Sequence, residues 1–320
     1  MTNKMFTELS IQGKICQVPA IAVYNLVIII SGKFLKAATI KDEWWLEGDL
    51  PCAPNEIVAS LKSEKMGAAL FEFSQRLPHT EPKYDYRKAW SSVAAIPIVS
   101  YEDWWENRLP QVTRKNVRRA GRRGVIVKPV EYNDRLIEAI VRLNNSTPIR
   151  QRRLNIHFGK SFDAVKRDYS EYSQRSEFLG AFFENEIIGL LQIIRQGEIG
   201  NIMQLFCMPN HEDKRPANAL LASAVELCAC QKIKYLVYGK FIYGHNVKAS
   251  LAEFKRRNGF QEFLVPTYYI PLTIMGRIAI MLNMHRGIKN FLPKQIMQIA
   301  FEFRNWMKRR KRFNQKVDSE

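Results

Sequence analysis

Residues 201–241 read NIMQLFCMPNHEDKRPANALLASAVELCACQKIKYLVYGKF. An apolar run ends at Pro209, a charged loop follows, and then small and apolar residues recur at the spacing of one helix face. A second apolar run, residues 235–238, comes directly after this helix. The pattern predicts a strand, a loop, a helix and a second strand, so that the helix begins beside the carboxyl end of a strand.

The start of that helix is suited to an anion. Pro216 fits the first helical position because its missing N–H costs nothing there, and the free amides of the first turn favour negative charge. Lys214 and Arg215 directly precede it and add two cationic side chains. We predict a phosphate site here, and an ordinary solvated loop before an ordinary helix is the alternative.

Composition and charge limit the class of protein. The chain has 320 residues, 46% of them hydrophobic, which is ample for a packed core. Its net charge of +18 is uneven, because most of it lies in residues 114–123 and 286–320. Such local basicity indicates contacts with anions at two places rather than a uniformly positive surface.

Several classes are disfavoured. The five cysteines, at positions 16, 52, 207, 228 and 230, lack the partner ligands of a zinc site and are expected to be reduced thiols. The sequence contains no metal signature, Ser-His-Asp order or Walker-type glycine loop. Residues 1–14 lack a secretory core, and no apolar run reaches the ~20 residues of a membrane span. We expect a cytoplasmic protein without a metal, soluble or peripheral at the inner membrane face.

Periodicity predicts alternating strands and helices along the rest of the chain. In the first part the candidates are strands within 15–30, 34–40, 68–74 and 93–99 and a helix over 54–65. In the second part they are a basic helix over 113–123 capped by Thr113, a strand over 125–130, helices over 134–144 and 162–172, a hairpin over 178–194, the crossover, a helix over 248–258, and strands over 260–264 and 268–272.

That order resembles the GNAT N-acetyltransferase fold over residues 125–272. A second likeness is Asn246-x-x-Ala249 followed by Phe254-Lys-Arg-Arg-Asn-Gly259-Phe260, which is similar to the family's closing pattern with one extra residue before the glycine. The resemblance implies an α/β (α+β) fold, a mixed sheet flanked by helices, with acyl-CoA as the donor substrate. It places the donor at Lys214, Arg215, Ala217, Asn218 and Asn246, although both glycines of the family's phosphate loop are missing.

Residues 114–125, RKNVRRAGRRGV, are similar to the arginine-rich helix and following Gly-Val of the Fem-type aminoacyltransferases, which have two GNAT-like halves. This resemblance implies an incomplete GNAT-like half over 1–110 and a GNAT-like acyltransferase domain over 111–272. Residues 273–320 form a basic helical tail in this interpretation. The sequence has no inserted helical hairpin arm of the kind found in peptidoglycan members of the group.

Acyl transfer to an amine needs an oriented carbonyl, a deprotonated acceptor and an acid for the leaving group. In the GNAT-like fold the carbonyl rests where the fourth and fifth strands part, so residues 203–208 and 235–240 are expected to face the reaction. Backbone N–H groups there would stabilise the oxyanion. Tyr238, Tyr243 and His245, at the exit of the fifth strand, are candidate catalytic groups, and a structural role for each is the alternative.

The loop STPIRQRRLNIHFGK, residues 146–160, carries several cations between two predicted helices. Arg152, His157 and Lys160 are candidate substrate-binding residues for an acceptor with a carboxylate or phosphate. A surface lid with solvated cations explains the same residues without a ligand.

Three functions follow. The first is an acyltransferase that moves an acyl group from acyl-CoA to a small-molecule amine, which by analogy is an amino sugar or cell-envelope precursor. The second is a Fem-type aminoacyltransferase that uses aminoacyl-tRNA, with tRNA as a partner. The third is a non-catalytic GNAT-like protein whose C-terminal tail binds an anionic membrane surface or nucleic acid. The residues do not fix the acceptor or the oligomeric state.

Overall fold

A computed structural model describes residues 3–11, 14–46, 48–150, 153–242 and 250–284. The strands in these residues are β1 (Asn3–Ile11), β2 (Lys14–Val23), β3 (Leu26–Ser31), β4 (Ala37–Ile40), β5 (Leu70–Ser74), β6 (Arg87–Pro97), β7 (Ile126–Pro129), β8 (Ile149–Arg150), β9 (Arg153–Leu154), β10 (Ser176–Phe183), β11 (Glu186–Gln196), β12 (Ile199–Cys207), β13 (Tyr235–Lys240) and β14 (Gln261–Pro271). The helices are α1 (Pro54–Ser63), α2 (Tyr101–Asp103), α3 (Gln111–Arg122), α4 (Asp134–Asn145), α5 (Phe162–Ser170), α6 (Pro216–Cys230), α7 (Ser250–Arg257) and α8 (Ile274–Met281).

Twelve of the described strands form one mixed sheet, in the order β1-β2-β3-β4-β5-β14-β6-β13-β12-β11-β10-β7. Strand β6 comes early in the chain but lies between β13 and β14, whereas β14 comes late and lies between β5 and β6. The two parts of the chain therefore exchange strands at the centre of the sheet. This confirms the predicted α/β fold with a mixed sheet and flanking helices.

Helix α6 builds the core of the second part. Its buried face includes Leu220, Leu221 and Val225, which pack with strand residues such as Leu191 and Ile193. Burying a side chain of this size stabilises the fold by roughly 1.5–3 kcal/mol. In the first part, Ile57 and Leu61 of α1 and the residues Ile28, Phe71 and Phe73 form a separate core. Each part thus packs one crossover helix against strands, and each core also includes a strand of the other part, with Ile96 of β6 in the core around α6 and Tyr268 of β14 in the core around α1.

The predicted elements of residues 201–241 are confirmed, as is the hairpin between β10 and β11. Its turn residues, Glu184 and Asn185, both have positive φ, as a tight hairpin turn requires. Two predictions are wrong. The last two strands are one, because the ladder continues on both sides of Pro266 through Val265 and Thr267. The basic helix begins at Gln111, and Thr113, instead of capping it, lies within it.

Two further expectations concern the rest of the chain. All five cysteines are free. Among the described residues, no helix combines the length and the apolar character that crossing a bilayer requires. The predicted basic tail lies mostly outside the described residues, because only its first part, which includes α8, belongs to them.

Candidate active site

Strands β12 and β13 part soon after they meet. Their parallel pairing consists of three pairs, Ile199 with Tyr235, Gly200 with Leu236 and Asn201 with Val237. On its other edge β12 shifts register against β11, because Ile193 pairs with Ile202 while Gln192 pairs with Gln204, which leaves Met203 as a bulge. A bulge bends a strand and increases its twist. The bulge thus accounts for β12 turning away from β13.

A pocket of about 560 Å³ lies in the resulting gap. Its walls come from the ends of β12 and β13, the first turns of α3 and α6, the end of α4 with the loop after it, and α7. The polar, charged and strand residues that line it include Thr113, Asn116, Asn144, Arg150, Asn155, Leu205, Phe206, Cys207, Glu212, Arg215, Ala217, Asn218, Tyr238, Arg257 and Asn258. Three arginines and one glutamate make this lining positive overall, which favours an anionic ligand.

The first turn of α6 opens on the pocket. Pro216 occupies its first position, and Arg215 before it adopts the left-handed conformation with φ 60°. The N–H of Ala217 has no partner among the described residues, whereas the N–H of Asn218 donates to the Arg215 carbonyl. The Asn218 amide donates to Asn258 Oδ1 at 2.8 Å. This end of the helix therefore offers one free N–H, a cation and the helix dipole.

The two cations before α6 have different surroundings. Arg215 lines the pocket. Lys214 does not line it, because its Nζ lies 4.6 Å from the centre of the Phe183 ring and 3.7 Å from an Asp213 carboxylate oxygen. Glu212 also lines the pocket and places a negative charge beside Arg215. Of the two, only Arg215 is positioned to contact a ligand in the pocket.

Tyr238 lines the pocket from the end of β13. Beneath it, Lys255 of α7 is fully buried, and its Nζ donates to the carbonyls of Tyr238 at 2.5 Å and Lys240 at 2.7 Å. The same Nζ lies 4.5 Å from the centre of the Tyr238 ring. Burial lowers the pKa of Lys255 to about 8. Lys255 thus fixes the strand end that carries Tyr238.

The sequence interpretation missed Lys255. Its two neighbours in the sequence, Arg256 and Arg257, are exposed and pair with Glu253, whereas Lys255 is buried. A signal was available, because Lys255 stands four residues after the apolar Leu251 and therefore lies on the same helix face.

The far wall of the pocket is the end of α4 and its following loop. Arg150 donates from Nη2 to the Leu205 carbonyl at 2.6 Å, beyond the last pair of β12 with β13, and its guanidinium lies 5.4 Å from the Phe206 ring centre. His157 and Lys160 lie beside this wall without lining the pocket. Lys160 pairs with Asp168, and burial, followed by the charge of Lys160, lowers the pKa of His157.

Four predicted site residues lie outside the described residues: Arg152, Tyr243, His245 and Asn246. Their assigned roles stay predictions. Among the described residues, no group of three or more His, Cys, Asp or Glu side chains is arranged to hold a metal ion.

The basic helix α3 leads away from the pocket. Thr113 and Asn116 line the pocket, and the Thr113 hydroxyl donates to the Arg257 carbonyl at 2.6 Å. Residues 114–123, which are the helix from Arg114 onward and Arg123 directly after it, include six basic residues, and three of these have partners: Arg114 pairs with Glu106, Arg118 lies over Trp105, and Arg123 pairs with Asp213. In the part of the chain that the structure describes, Lys115, Arg119 and Arg122 have no such partner.

The unpartnered cations share one face with the pocket-lining end of α3. Lys115, Arg119 and Arg122 follow one another at spacings of four and three, and Arg119 stands three residues after Asn116. The result is a cationic track that starts at the pocket and runs along the helix. Unpaired cations in a row are typical of contacts with a phosphate backbone.

Comparisons with known proteins place this architecture. No protein-family model matches the chain, and no curated protein matches its sequence. Three solved structures are similar in fold. The C-terminal domain of a protein named as a lysylphosphatidylglycerol synthetase from Agrobacterium fabrum has a TM-score of 0.55 and 12% identity, and the match covers 81% of this chain and 83% of that one.

FemX has a TM-score of 0.55 and 9% identity, with 82% of this chain and 88% of FemX covered. L-PGS from Bacillus licheniformis has a TM-score of 0.53 and 11% identity, with 81% and 85% covered. The chain therefore has a fold similar to that of FemX and of these two other proteins. Identities this low show the fold alone, and the function has to be argued from the site.

Proposed function

We propose that this chain is an acyltransferase that moves an acyl group from an anionic carrier to an amine in the pocket between β12 and β13. The observation that carries the proposal is the parting of these strands around a pocket of about 560 Å³ onto which the first turn of α6 opens. A carbonyl placed there has backbone groups of β12 on one side and Tyr238 on the other. The acyl group and its carrier would be held at separate ends of one cavity.

The residues support direct transfer without a covalent enzyme intermediate. The amine nitrogen attacks the acyl carbon, the new C–N bond forms, and the bond to the carrier's oxygen or sulfur breaks. Main-chain N–H groups at the bulged end of β12 stabilise the oxyanion. Tyr238 gives its hydroxyl proton to the leaving atom, and the proton released by the amine returns the tyrosine to its neutral form. Lys255 acts through Tyr238 as a positioning residue.

RNA is the carrier that the observations favour. The cationic track along α3, formed by Lys115, Arg119 and Arg122, is longer than a single pyrophosphate group. Binding the pyrophosphate of CoA at the start of α6 would call for a glycine-rich loop. This chain instead has Glu212 there, and Arg215 in the left-handed conformation. We therefore place aminoacyl-tRNA ahead of acyl-CoA as the donor.

Acyl-CoA is the second candidate, and one observation favours it. The free N–H of Ala217 at the dipole end of α6 is the kind of donor that binds a single phosphate group. The proposal also includes the acceptor, which is the amine of an amino sugar or of another cell-envelope precursor. Peripheral contact with an anionic membrane through the basic tail, residues 273–320, belongs to it as well. The non-catalytic binding function is the alternative to this proposal.

Binding of charged tRNA at increasing salt separates these functions. With an RNA carrier, the logarithm of the binding constant should fall linearly with the logarithm of the salt concentration, with a slope of about −0.7 to −0.9 per neutralised phosphate. Changing Lys115, Arg119 or Arg122 to Gln should each reduce the slope by about 1 or less. Arg142→Gln, an exposed arginine of α4, is the matched control and should leave the slope unchanged.

Two outcomes would contradict the RNA carrier. Binding that is equally tight at high salt is the first. A shift in unfolding temperature with acetyl-CoA or a longer acyl-CoA, lost in Arg215→Gln, would favour CoA as the donor. Binding without any acyl transfer from either donor would leave the non-catalytic function.

A further inference from the structure

Helix α8 carries a row of apolar side chains on its outer surface. Ile274 and Met281 are 77% and 74% exposed, and the other exposed members of the row are Met275, Ile278 and Leu282. At about 100° per residue, these positions fall within an arc of about 120° around the helix. Single exposed apolar side chains are ordinary, whereas a contiguous patch of them marks a contact surface.

The opposite side of α8 is fixed against the sheet. Gly276 and Ala279 are buried there, and a Cβ atom at position 276 would lie 1.9 Å from the carbonyl oxygen of Ala69. Thr273 caps the helix, because its Oγ1 accepts the N–H of Gly276 at 3.1 Å. This close packing holds the apolar row on the outside.

A further exposed apolar side chain lies in the turn between β3 and β4. Phe34, in this turn, is 81% exposed. The turn is joined to the start of α8 through Ala69, whose N–H donates to the Lys36 carbonyl at 2.8 Å and whose carbonyl accepts the Leu272 N–H at 2.9 Å. The turn and α8 therefore lie side by side at one end of the sheet.

Cations surround these apolar residues. Over residues 31–37, 64–69 and 272–284 the basic side chains are Lys33, Lys36, Lys65 and Arg277, and all of them are exposed. The acid of the same segments is Glu64, which is half-buried. Lys33 Nζ lies 5.6 Å from the centre of the Phe34 ring. Phe34, the apolar row of α8 and these cations together form what we call the α8 face.

The α8 face and the pocket lie at the same end of the sheet. Strand β6 runs antiparallel to both β13 and β14, so β13 and β14 point the same way, and β12 is parallel to β13. The pocket lies at the carboxyl ends of β12 and β13, and α8 follows the carboxyl end of β14. A surface that binds the α8 face is therefore brought to the end of the sheet that holds the pocket.

We propose that the α8 face docks on an anionic lipid bilayer, with its apolar row at the boundary of the acyl chains and its cations among the headgroups. A short apolar helix face surrounded by cations is the composition of elements that lie in an anionic membrane interface. The inference rests on the proposed function in one respect, since it assigns a surface to the membrane contact included there.

Charge argues against two other occupants of the α8 face. A second copy related by a two-fold axis would bring the same cations against one another. The chain's own residues 286–320 carry ten basic and three acidic residues, so they too would add like charge. An anionic membrane is attracted by both sets of cations at once.

The test is flotation of the full chain with vesicles of phosphatidylcholine, either alone or mixed with phosphatidylserine. The protein should float with the mixed vesicles and stay behind with pure phosphatidylcholine. Ile274→Gln together with Ile278→Gln should weaken this binding by about tenfold or more, because two apolar side chains are lost from the interface. Val99→Gln is the control, since Val99 is 78% exposed beyond the carboxyl end of β6, at the opposite end of the sheet.

Lys33→Gln together with Lys36→Gln tests the cations. Each lysine near an anionic surface strengthens binding by about fivefold, so the pair should have a clear effect at low salt that shrinks as the salt concentration rises. Arg135→Gln together with Arg142→Gln removes the same charge from two exposed positions of α4 and should bind nearly as the wild type does.

Unfolding midpoints close to that of the wild type are expected for all these variants, because each changes exposed side chains. A full chain that does not float with the mixed vesicles would overturn the inference, as would flotation unchanged by the substitutions at Ile274 and Ile278. A dimer, measured by light scattering, that becomes a monomer in the same variant would assign the α8 face to a second copy and overturn membrane docking.

This inference and the proposed function fail in different assays, because flotation needs neither a donor nor an acceptor. A protein that floats through the α8 face but transfers no acyl group would refute the acyltransferase and keep the docking. Acyl transfer to a soluble amine by a protein that does not float would refute the docking and keep the acyltransferase.

Discussion

The chain contains two strand–helix–strand crossovers that begin alike and end differently. Strands β4 and β5, like β12 and β13, run parallel and share three pairs. In both crossovers a 3-10 turn follows the first strand, Glu43–Trp45 in one and Pro209–Lys214 in the other, and the helix begins with a proline. The topology is therefore repeated.

The difference lies in what fills the gap after the third pair. In the first crossover the Glu43 carboxylate reaches across to β5 and accepts the Ser74 N–H at 2.7 Å, and the cavities that adjoin Glu43 are only about 30 Å³ each. In the second crossover the gap holds a pocket of about 560 Å³. A single side chain that bridges the strands closes the first gap. Topology alone thus makes a gap, and the side chains at its mouth decide whether it can take a ligand.

The largest expected effect tests the open crossover. Tyr238→Phe removes the proposed acid, and the rate of acyl transfer should fall by about 10²–10⁴. Tyr86→Phe, a tyrosine beside the closed crossover that donates to Asn55, is the matched control and should transfer at the wild-type rate. Single-turnover kinetics measure both. Equal rates for Tyr238→Phe and the wild type would remove Tyr238 from the chemistry.

The next effect concerns the lysine beneath Tyr238. Lys255→Met breaks the two hydrogen bonds that hold the end of β13, and transfer should fall by up to about 10²-fold through misplacement of Tyr238. Arg256→Met, the next residue on α7 and exposed, is the control. A Lys255→Met protein that folds and transfers normally would show that the anchor is dispensable.

Lys255 also predicts a dependence of stability on pH. Its pKa is lowered from 10.5 to about 8, so between these values the unfolded chain binds more protons than the folded one. The free energy of unfolding should therefore rise as the pH increases from about 8 toward 10.5, and Lys255→Met should remove this contribution. Urea unfolding of both proteins at pH 8 and pH 10 measures it. An identical pH dependence in the two proteins would contradict the expectation.

The smallest effect concerns the closed crossover. Burial raises the pKa of Glu43 to about 7, so the folded state holds a proton that the unfolded chain has already lost above pH 4.5. Stability should fall as the pH rises from about 4.5 to about 7. Glu43→Gln keeps an oxygen for the Ser74 N–H without the charge, so it should raise the unfolding temperature at pH 8 and change little at pH 5. A variant that is less stable than the wild type at pH 8 would contradict this.

The sequence predicted the second crossover well because its signals are local. Pro209, Pro216 and the apolar spacing of α6 each mark an element within a few residues. Features that depend on distant partners were not predictable in this way. The single strand β14 exists because β6 and β5 pair with it across more than 150 residues, and neither partner is visible from Pro266.

The residues that form the pocket were also hard to predict, because they too depend on partners distant in the sequence. Arg215 was predicted as a cation near a phosphate, and it lines the pocket, but Asn144 and Arg150 were not singled out. The place of Arg150 in the pocket wall depends on its contacts with Leu205 and Phe206, about 55 residues later in the chain. The closing of the first gap by Glu43 was also invisible, because it depends on Ser74 of another strand.

Because β6 and β14 are exchanged, the chain cannot be divided near residue 110 without separating paired strands. A fragment that ends near residue 110 would leave β6 without both of its neighbours, and a fragment that begins there would leave β14 without its own. Each piece would expose long unpaired edges, which invite aggregation. We therefore expect a chain divided near residue 110 to recover its sheet only when both pieces are present together.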